Sequence, residues 1–491
     1  MSADPMPRAA GRSLPDAIWP LSIVAYFAFQ TLYRTALGGA LGLDDAQMIF
    51  DARSFAWGYG PQLPLFAWLQ HLVFMVTGPT MFGLAVLKNT LLCGTVLTCY
   101  GLMRTRLDPR RAWVATLGLV LLPQIAWESQ RALTHSVLAT FSAALCFATI
   151  WWIARRPSLA GFVTLGLVLG MGLLSKYNFV LLPISTTFAL IGFPEFRASF
   201  RDRRLFLSLL IAAAIALPPY VWILNHPEIA FASAKKFDAA EDVSLGARLV
   251  GPVLATGQGV LNFLALPLLV GRLLYWRYRE RKPEAPQPLL RLMLRVMVIG
   301  LLLLLIGALA VGAGQIKDRW LQPLLFLAGP ALGLWLLPRL SATGLRRLQQ
   351  VYAVLLVLVT IALPVHFFQG KSRNAAPFET LVPQLVAAVG ADATLIAPQW
   401  EGANILYRAP RMTVLNASSD FTKPLPDGPA FVIWDGTNAA TGTGLLRATY
   451  PDHPDWTTGE VQQLAAPYPF ADGKNFTLSF APVVRPGDQP R

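Results

Sequence analysis

The chain has 491 residues, 54% hydrophobic and 14% charged, with a net charge of +14 and a mean hydropathy of +0.49. Soluble domains carry about 25% charge, so the composition excludes an ordinary soluble protein and points to a polytopic membrane protein. The basicity does not indicate nucleic acid, because Lys and Arg fall in short clusters between apolar spans rather than in a stripe interleaved with aromatics. Cys93, Cys99 and Cys146 all lie within apolar spans and offer neither a disulfide framework nor zinc-ligand spacing.

In chain order, Arg8 and Arg12 precede a first apolar span without a small-residue cleavage signature, so that span reads as a retained transmembrane helix. A spanning helix needs about 20 mostly apolar residues. On that ruler eleven spans are expected, near 17–37, 80–103, 112–127, 135–154, 159–174, 178–194, 205–224, 249–271, 293–313, 321–338 and 349–367. Alternate loops differ in positive charge. One set carries Arg104, Arg106, Arg110 and Arg111, then Arg155 and Arg156, then Arg197, Arg201, Arg203 and Arg204, and later Arg272 to Arg291 and Arg339 to Arg347. The opposite set is sparse, with Arg53, Arg131, Lys176, Lys235, Lys236, Arg248, Lys317 and Arg319. An odd helix count with a cytoplasmic N-terminus satisfies this asymmetry and puts the loop at 38–79, the loop at 225–248 and the C-terminal region outside the cytoplasm.

From about residue 368 Pro, Asp, Asn, Gly and Thr rise and no further span follows. Phe378–Val389 has helical spacing, Thr394–Ala397 reads as a strand, a helix starts near 403–407, and further strands are expected at 412–415, 430–434 and 476–484. The expected fold is mainly α: a polytopic helical bundle over 1–367, with a small α/β domain over 368–491.

The loop at 38–79 carries the densest chemistry. Asp44 and Asp45 follow Gly38, Gly39 and Gly42, and a helical segment is expected over 46–57. Asp44 suits a helix N-cap with Gln47 as its capping-box partner. It equally suits a general base, since an Asp within hydrogen-bond reach can take a hydroxyl proton. Trp57, Tyr59, Phe66 and Trp68 then offer flat apolar faces among turns set by Gly58, Gly60, Pro61 and Pro64, either as an interfacial girdle or as a sugar or prenyl contact. The 225–248 loop, with His226, Glu228, Lys235, Lys236, Asp238, Glu241 and Asp242, is solvated loop or a cover over the site.

Asp44-Asp45-Ala46, an aromatic stretch, Gly58-Tyr59 and the run Pro64-Leu65-Phe66-Ala67-Trp68-Leu69 resemble the first extracytoplasmic loop of GT-C glycosyltransferases. The resemblance is to the branch of families 39 and 83, which holds the protein O-mannosyltransferases and the lipid A aminoarabinose and galacturonic acid transferases. Those loops open with Asp-Glu and close with a basic residue or His before Pro-Pro. Here Asp45 is the second acid and Gln62-Leu63-Pro64 closes the loop, which removes a phosphate contact. Gly172 to Tyr177 (GLLSKY) is similar to a family stretch, Lys317 to Pro323 stands where a basic-aromatic-Pro motif is found, and His135 replaces a second Asp.

The resemblance implies transfer of a sugar from a polyprenyl-phosphate donor to a hydroxyl of a glycolipid, glycan or protein at the periplasmic face of a bacterial inner membrane. Asp44, or else Asp45, is then the base. Lys176, Lys317, Arg319 and Arg131 are the expected phosphate clamp, unless Arg131 pairs with Glu128 and Arg319 with Asp318. Tyr59, Gln62, His135 and Trp57 are substrate contacts on this reading. No metal or other cofactor is indicated, although a divalent ion is compatible with the chemistry. The rival class is a transporter or flippase of lipid-linked sugars, which calls for midplane charges and internal repeats.

Overall fold

A computed structural model describes residues 15–132, 134–193, 201–230, 245–280, 287–310, 316–417, 425 and 427–486. Six of the described helices are long and apolar enough to cross a membrane: Met81–Arg104, Thr134–Arg155, Arg204–Asn225, Val250–Tyr278, Pro288–Ala310 and Ala342–Phe368. Beside them stand α1 (Ile18–Leu37) and the shorter apolar helices Leu65–Thr77, Leu159–Leu173, Tyr177–Ile191 and Gln322–Leu336. Small residues let these helices touch closely, as packing between apolar helices in lipid requires. A Cβ at Gly166 or Gly170 would come within 2.7–2.8 Å of Ile211 or Ile215 on the neighbouring helix.

Two expectations fail locally. The span expected over 112–127 is broken into a helix at Pro109–Thr116, a 3₁₀ turn at Leu117–Leu121 and a π turn at Gln124–Glu128. Pro123 has no N–H to donate, and it holds Leu122 extended at φ −94°, ψ 106°. The loop at 38–79 is not one polar stretch either. It contains α2 (Leu43–Asp51) and an apolar α3 (Leu65–Thr77), whose Leu72, Met75 and Val76 are exposed. The next helix, α4, is Met81–Arg104.

The C-terminal part forms a mixed sheet of β1 (Thr394–Ala397), β2 (Thr413–Asn416), β3 (Ala430–Asp435), β4 (Thr457–Thr458), β5 (Gln462–Pro467) and β6 (Asn475–Val484). Strand β1 runs parallel to β2 and β3, while β6 is antiparallel to β3, β4 and β5. The parallel β1–β2 pair needs a crossover, and Gln399–Arg408 supplies it, starting four residues before the expected helix. The helix Ala439–Thr449 and strand β5 were not expected from the sequence.

A hydrogen-bonded seam joins this sheet region to the chain just before α2. Ala40 N–H donates to the Asn374 carbonyl (2.8 Å), and the Asn374 amide donates back to the Ala40 carbonyl (2.9 Å). Leu41 N–H donates to Asn404 Oδ1 (2.8 Å), and Trp400 Nε1–H donates to the Leu41 carbonyl (2.7 Å). Gly38 and Gly39 both have positive φ, 61° and 84°. A Cβ at Gly39 would sit 2.7 Å from the Asn374 carbonyl oxygen, whereas at Gly38 it meets nothing within 4 Å. Both Gly→Ala changes carry a left-handed backbone penalty of about 1–2 kcal/mol. Only Gly39→Ala also pries the seam apart, so its melting temperature in detergent will fall further than that of Gly38→Ala; equal losses would mean the seam is slack.

Candidate active site

Above the broken 112–128 segment lies a cavity of about 1390 Å³. One wall comes from membrane-helix ends and loops, with Asp44, Glu128, Arg131, Lys317, Asp318 and Arg319. The other comes from the chain after the last long helix and from the sheet region, with Lys371, Arg373, Trp400, Glu401, Asp435 and Tyr468.

Asp44 reaches the cavity because α2 begins at Leu43, with Gly42 extended (φ −74°, ψ 175°) at the cap position. Asp44 and Asp45 therefore lie in the first turn, where carboxylates complement the helix dipole. Asp44 is not the N-cap that the sequence suggested, and Gln47 makes no capping box: its amide donates to Asp51 (2.8 Å). Adjacent helical residues face apart. Asp45 turns to Arg34 of α1 at 3.8 Å, within a pair that is largely buried. Arg34 also donates to the Gly38 carbonyl (2.8 Å) and covers the Phe367 ring. The two acids are thus separated: Asp45 ties α1 to α2, and Asp44 faces the cavity.

The cations divide as well. Lys317 and Arg319 line the wall. Arg131 lines it too but pairs with Glu128 at 2.6 Å, and the Asp318 carboxylate accepts from Asn262 (3.1 Å). Lys176 lies buried at the joint between two short helices and donates to Ser136 Oγ (2.6 Å). Burial, and then the like charge of Arg319, lower its pKa to about 7, against the opposing pull of Asp44. Asp44, Lys176 and Arg319 thus act on one another electrostatically. Lys88, buried inside α4, donates to the Gln130 carbonyl (2.9 Å) and so fixes the turn that carries Glu128 and Arg131. Among the described residues no group of three or more His, Cys, Asp and Glu is placed to hold a metal ion.

Comparison with known proteins identifies the family. The model of the dolichyl-phosphate-mannose-protein mannosyltransferase family matches residues 60–222. The chain is 30% identical over 502 residues to the lipopolysaccharide core galacturonosyltransferase RgtB of Rhizobium johnstonii, covering 96% of this chain and 99% of that protein. It is also 30% identical to RgtA of the same organism, over 95% and 97% of the two chains. The fold is similar to that of ArnT from Cupriavidus metallidurans, at 14% identity. The TM-score is 0.62 to the apo structure and 0.63 to the one bound to undecaprenyl phosphate, with 97% of this chain covered. The chain belongs to the GT-C glycosyltransferases of the protein-mannosyltransferase and ArnT type. It is a membrane enzyme of sugar transfer, and the transporter reading is set aside.

Several residues singled out in the transferase's sequence stand away from the cavity. The Tyr59 hydroxyl accepts from Ala56 N–H (2.9 Å) and donates to the Ser54 carbonyl (2.5 Å), closing its own loop. Gln62 sits in the same turn, its N–H on the Tyr59 carbonyl. Trp57 is half exposed and meets Trp68 edge to face. His135 is buried beside Phe66. In the 225–248 loop His226 stacks on Trp222, while Lys235, Lys236, Asp238, Glu241 and Asp242 lie outside the described residues. Reading the sequence missed Arg34, Lys88, Lys371, Arg373, Glu401 and Asp435. An ionisable residue within an apolar span is itself a flag, and it would have found Arg34 and Lys88.

Glu401 is 5% exposed, and burial, reinforced by Asp435 and opposed by Arg373, raises its pKa to about 7. The folded chain therefore holds this proton more tightly than the unfolded chain, and stability falls as pH rises from about 4.5 to 7. The neutral mimic Glu401→Gln should raise the melting temperature above pH 7.5, with a ceiling of about 3 kcal/mol, and change little at pH 4.5. A pH-independent difference in thermal unfolding would refute the assignment.

Proposed function

We propose that the enzyme transfers a uronic acid, galacturonosyl as in the names of its relatives, from a polyprenyl-phosphate donor to a hydroxyl of a lipopolysaccharide core or lipid A acceptor. The reading also places residues 1–367 as the catalytic membrane domain, crossing up to eleven times, and 368–491 as an α/β domain on the periplasmic side, where the charge asymmetry of the loops puts the cavity. The observation that carries the chemistry is the placement of Asp44 in one cavity with Lys317 and Arg319, with Lys176 coupled electrostatically to Asp44 and Arg319.

In the proposed step the acceptor oxygen attacks the anomeric carbon while its proton passes to the Asp44 carboxylate. The bond from that carbon to the phosphate oxygen breaks on the opposite face, which inverts the centre, and the electron pair leaves with the phosphate. Charge thereby grows on the leaving group, and fixed Lys and Arg in a partly dry site stabilise it more in the transition state than in the ground state. Arg131 contributes less, because Glu128 already neutralises it.

The test uses the purified enzyme in membranes supplied with defined polyprenyl-phosphate sugars. Asp44→Asn should lower kcat by about 10²–10⁴-fold while donor binding persists. Asp45→Asn should chiefly lower the melting temperature, because it leaves buried Arg34 without its partner. Undiminished turnover by Asp44→Asn removes the base, and turnover with nucleotide sugars alone removes the donor.

A further inference from the structure

Resting on that reading, we infer that Lys371 and Arg373 are the specificity residues that recognise the carboxylate of the transferred sugar. The cations that line the cavity come from two different parts of the chain. Lys317 and Arg319 are on the membrane-helix wall beside Lys176 and Asp44. Lys371 and Arg373 are on the wall that follows the last long helix, and among the described residues neither forms an ion pair within 4 Å.

The turn that carries them is held in place. Gly370 has φ 56°, Ser372 Oγ donates to the Phe367 carbonyl, and Asn374 exchanges two hydrogen bonds with Ala40. Since Ala40 lies four residues before Asp44, the seam sets the second cation pair at a defined place relative to Asp44. The neighbouring lining is aromatic: Trp400 and Phe476 pack on each other, and Tyr468 meets Phe476 edge to face. Flat apolar faces next to two cations suit a sugar ring that bears an anion.

The alternative for an anionic sugar is poor. Asp44, Glu128, Asp318, Glu401 and Asp435 all line the cavity, and an uncompensated carboxylate would face them at short range. In a hexuronic acid the carboxylate and the anomeric phosphate leave from carbons flanking the ring oxygen, so one small ring presents two anions. Two separate cation groups answer that pattern, while a neutral hexose needs only one. Arg373 acts electrostatically on Glu401, whose proton affinity is raised by burial, so the acid beside Arg373 opposes an incoming carboxylate less than an ordinary glutamate would.

The experiment compares the full-length enzyme in nanodiscs with polyprenyl-phosphate galacturonic acid and polyprenyl-phosphate galactose, which differ at C6 alone. Binding and transfer are both measured, for wild type, Lys371→Gln, Arg373→Gln, the double variant and the charge-keeping Lys371→Arg. Loss of a charge-assisted contact corresponds to about 10- to 100-fold. The uronate-over-galactose ratio should fall by that much in the double variant and be kept in Lys371→Arg. An equal loss on both donors, or a loss confined to anionic bilayers, overturns the inference in favour of general charge or headgroup contact. So does a loss that follows the acceptor's charge instead of the donor's. Should wild type transfer neither sugar, the donor reading fails by itself, and the binding ratio of the two lipids still decides the role of these residues.

Discussion

Charged groups beside lipid are tolerated only where protein encloses them, and in this enzyme a short backbone seam provides the enclosure. Residues 39–41 are hydrogen-bonded to Asn374, Trp400, Asn404 and Arg408, so the chain leaving α1 is fastened to the sheet region before α2 begins. Both cavity walls hang from that seam, one through Asp44 and the other through the turn at 370–374. The position of Asp44 relative to the turn that carries Lys371 and Arg373 is thus set by main-chain and buried side-chain hydrogen bonds. Pre-set geometry of this kind is what electrostatic catalysis requires.

The acid pair shows how one dipeptide serves two purposes. Its members are chemically identical, yet the turn of a helix sends them in different directions, Asp45 to Arg34 and Asp44 to the cavity. A buried ion pair is expensive to form and more expensive to break from one side. Asp45 therefore acts as a lock: removing it strands Arg34, which otherwise holds the Gly38 carbonyl and the Phe367 ring together. Lys88 has a comparable office one helix away, holding the carbonyl of Gln130 where the π turn at Gln124–Glu128 hands over to Arg131. Neither touches the cavity, and both fix what does.

How much of this was legible follows from what each feature depends on. Composition and loop charge report the membrane class because lipid acts on every residue alike. Strands such as Thr394–Ala397 were visible because they are uniformly buried apolar runs, whereas β5, QQLAAP with its polar edge, carries no such pattern. The break at Pro123 was written in the sequence but lost under the high hydropathy around it. In the site, Lys317, Arg319 and Asp44 were found because cations and acids on the sparse side stand out. Trp57, Tyr59, Gln62 and His135 were singled out by residue type, and residue type cannot separate an aromatic that meets a ligand from one that closes its own turn, as the Tyr59 hydroxyl does. Glu401 was invisible because its charged neighbours, Arg373 and Asp435, come from distant parts of the chain. Lys371 and Arg373 stand just beyond the last span, where residue type alone does not separate a cavity-lining cation from a headgroup anchor.

In the proposed reaction the placement of Lys176 answers a difficulty that any buried phosphate clamp meets. A cavity lined with permanently charged, unneutralised lysines pays heavily for its desolvation while empty. Lys176 donates to Ser136 Oγ, with its proton affinity lowered by burial and by the like charge of Arg319. In the proposed reaction the arriving phosphodiester monoanion raises that affinity again. The full charge then appears when a partner is present to compensate it, and it is greatest as the leaving group takes up negative charge. In that proposed step Arg319 contributes from the cavity lining, and Lys176 contributes the part of the field that responds to the ligand.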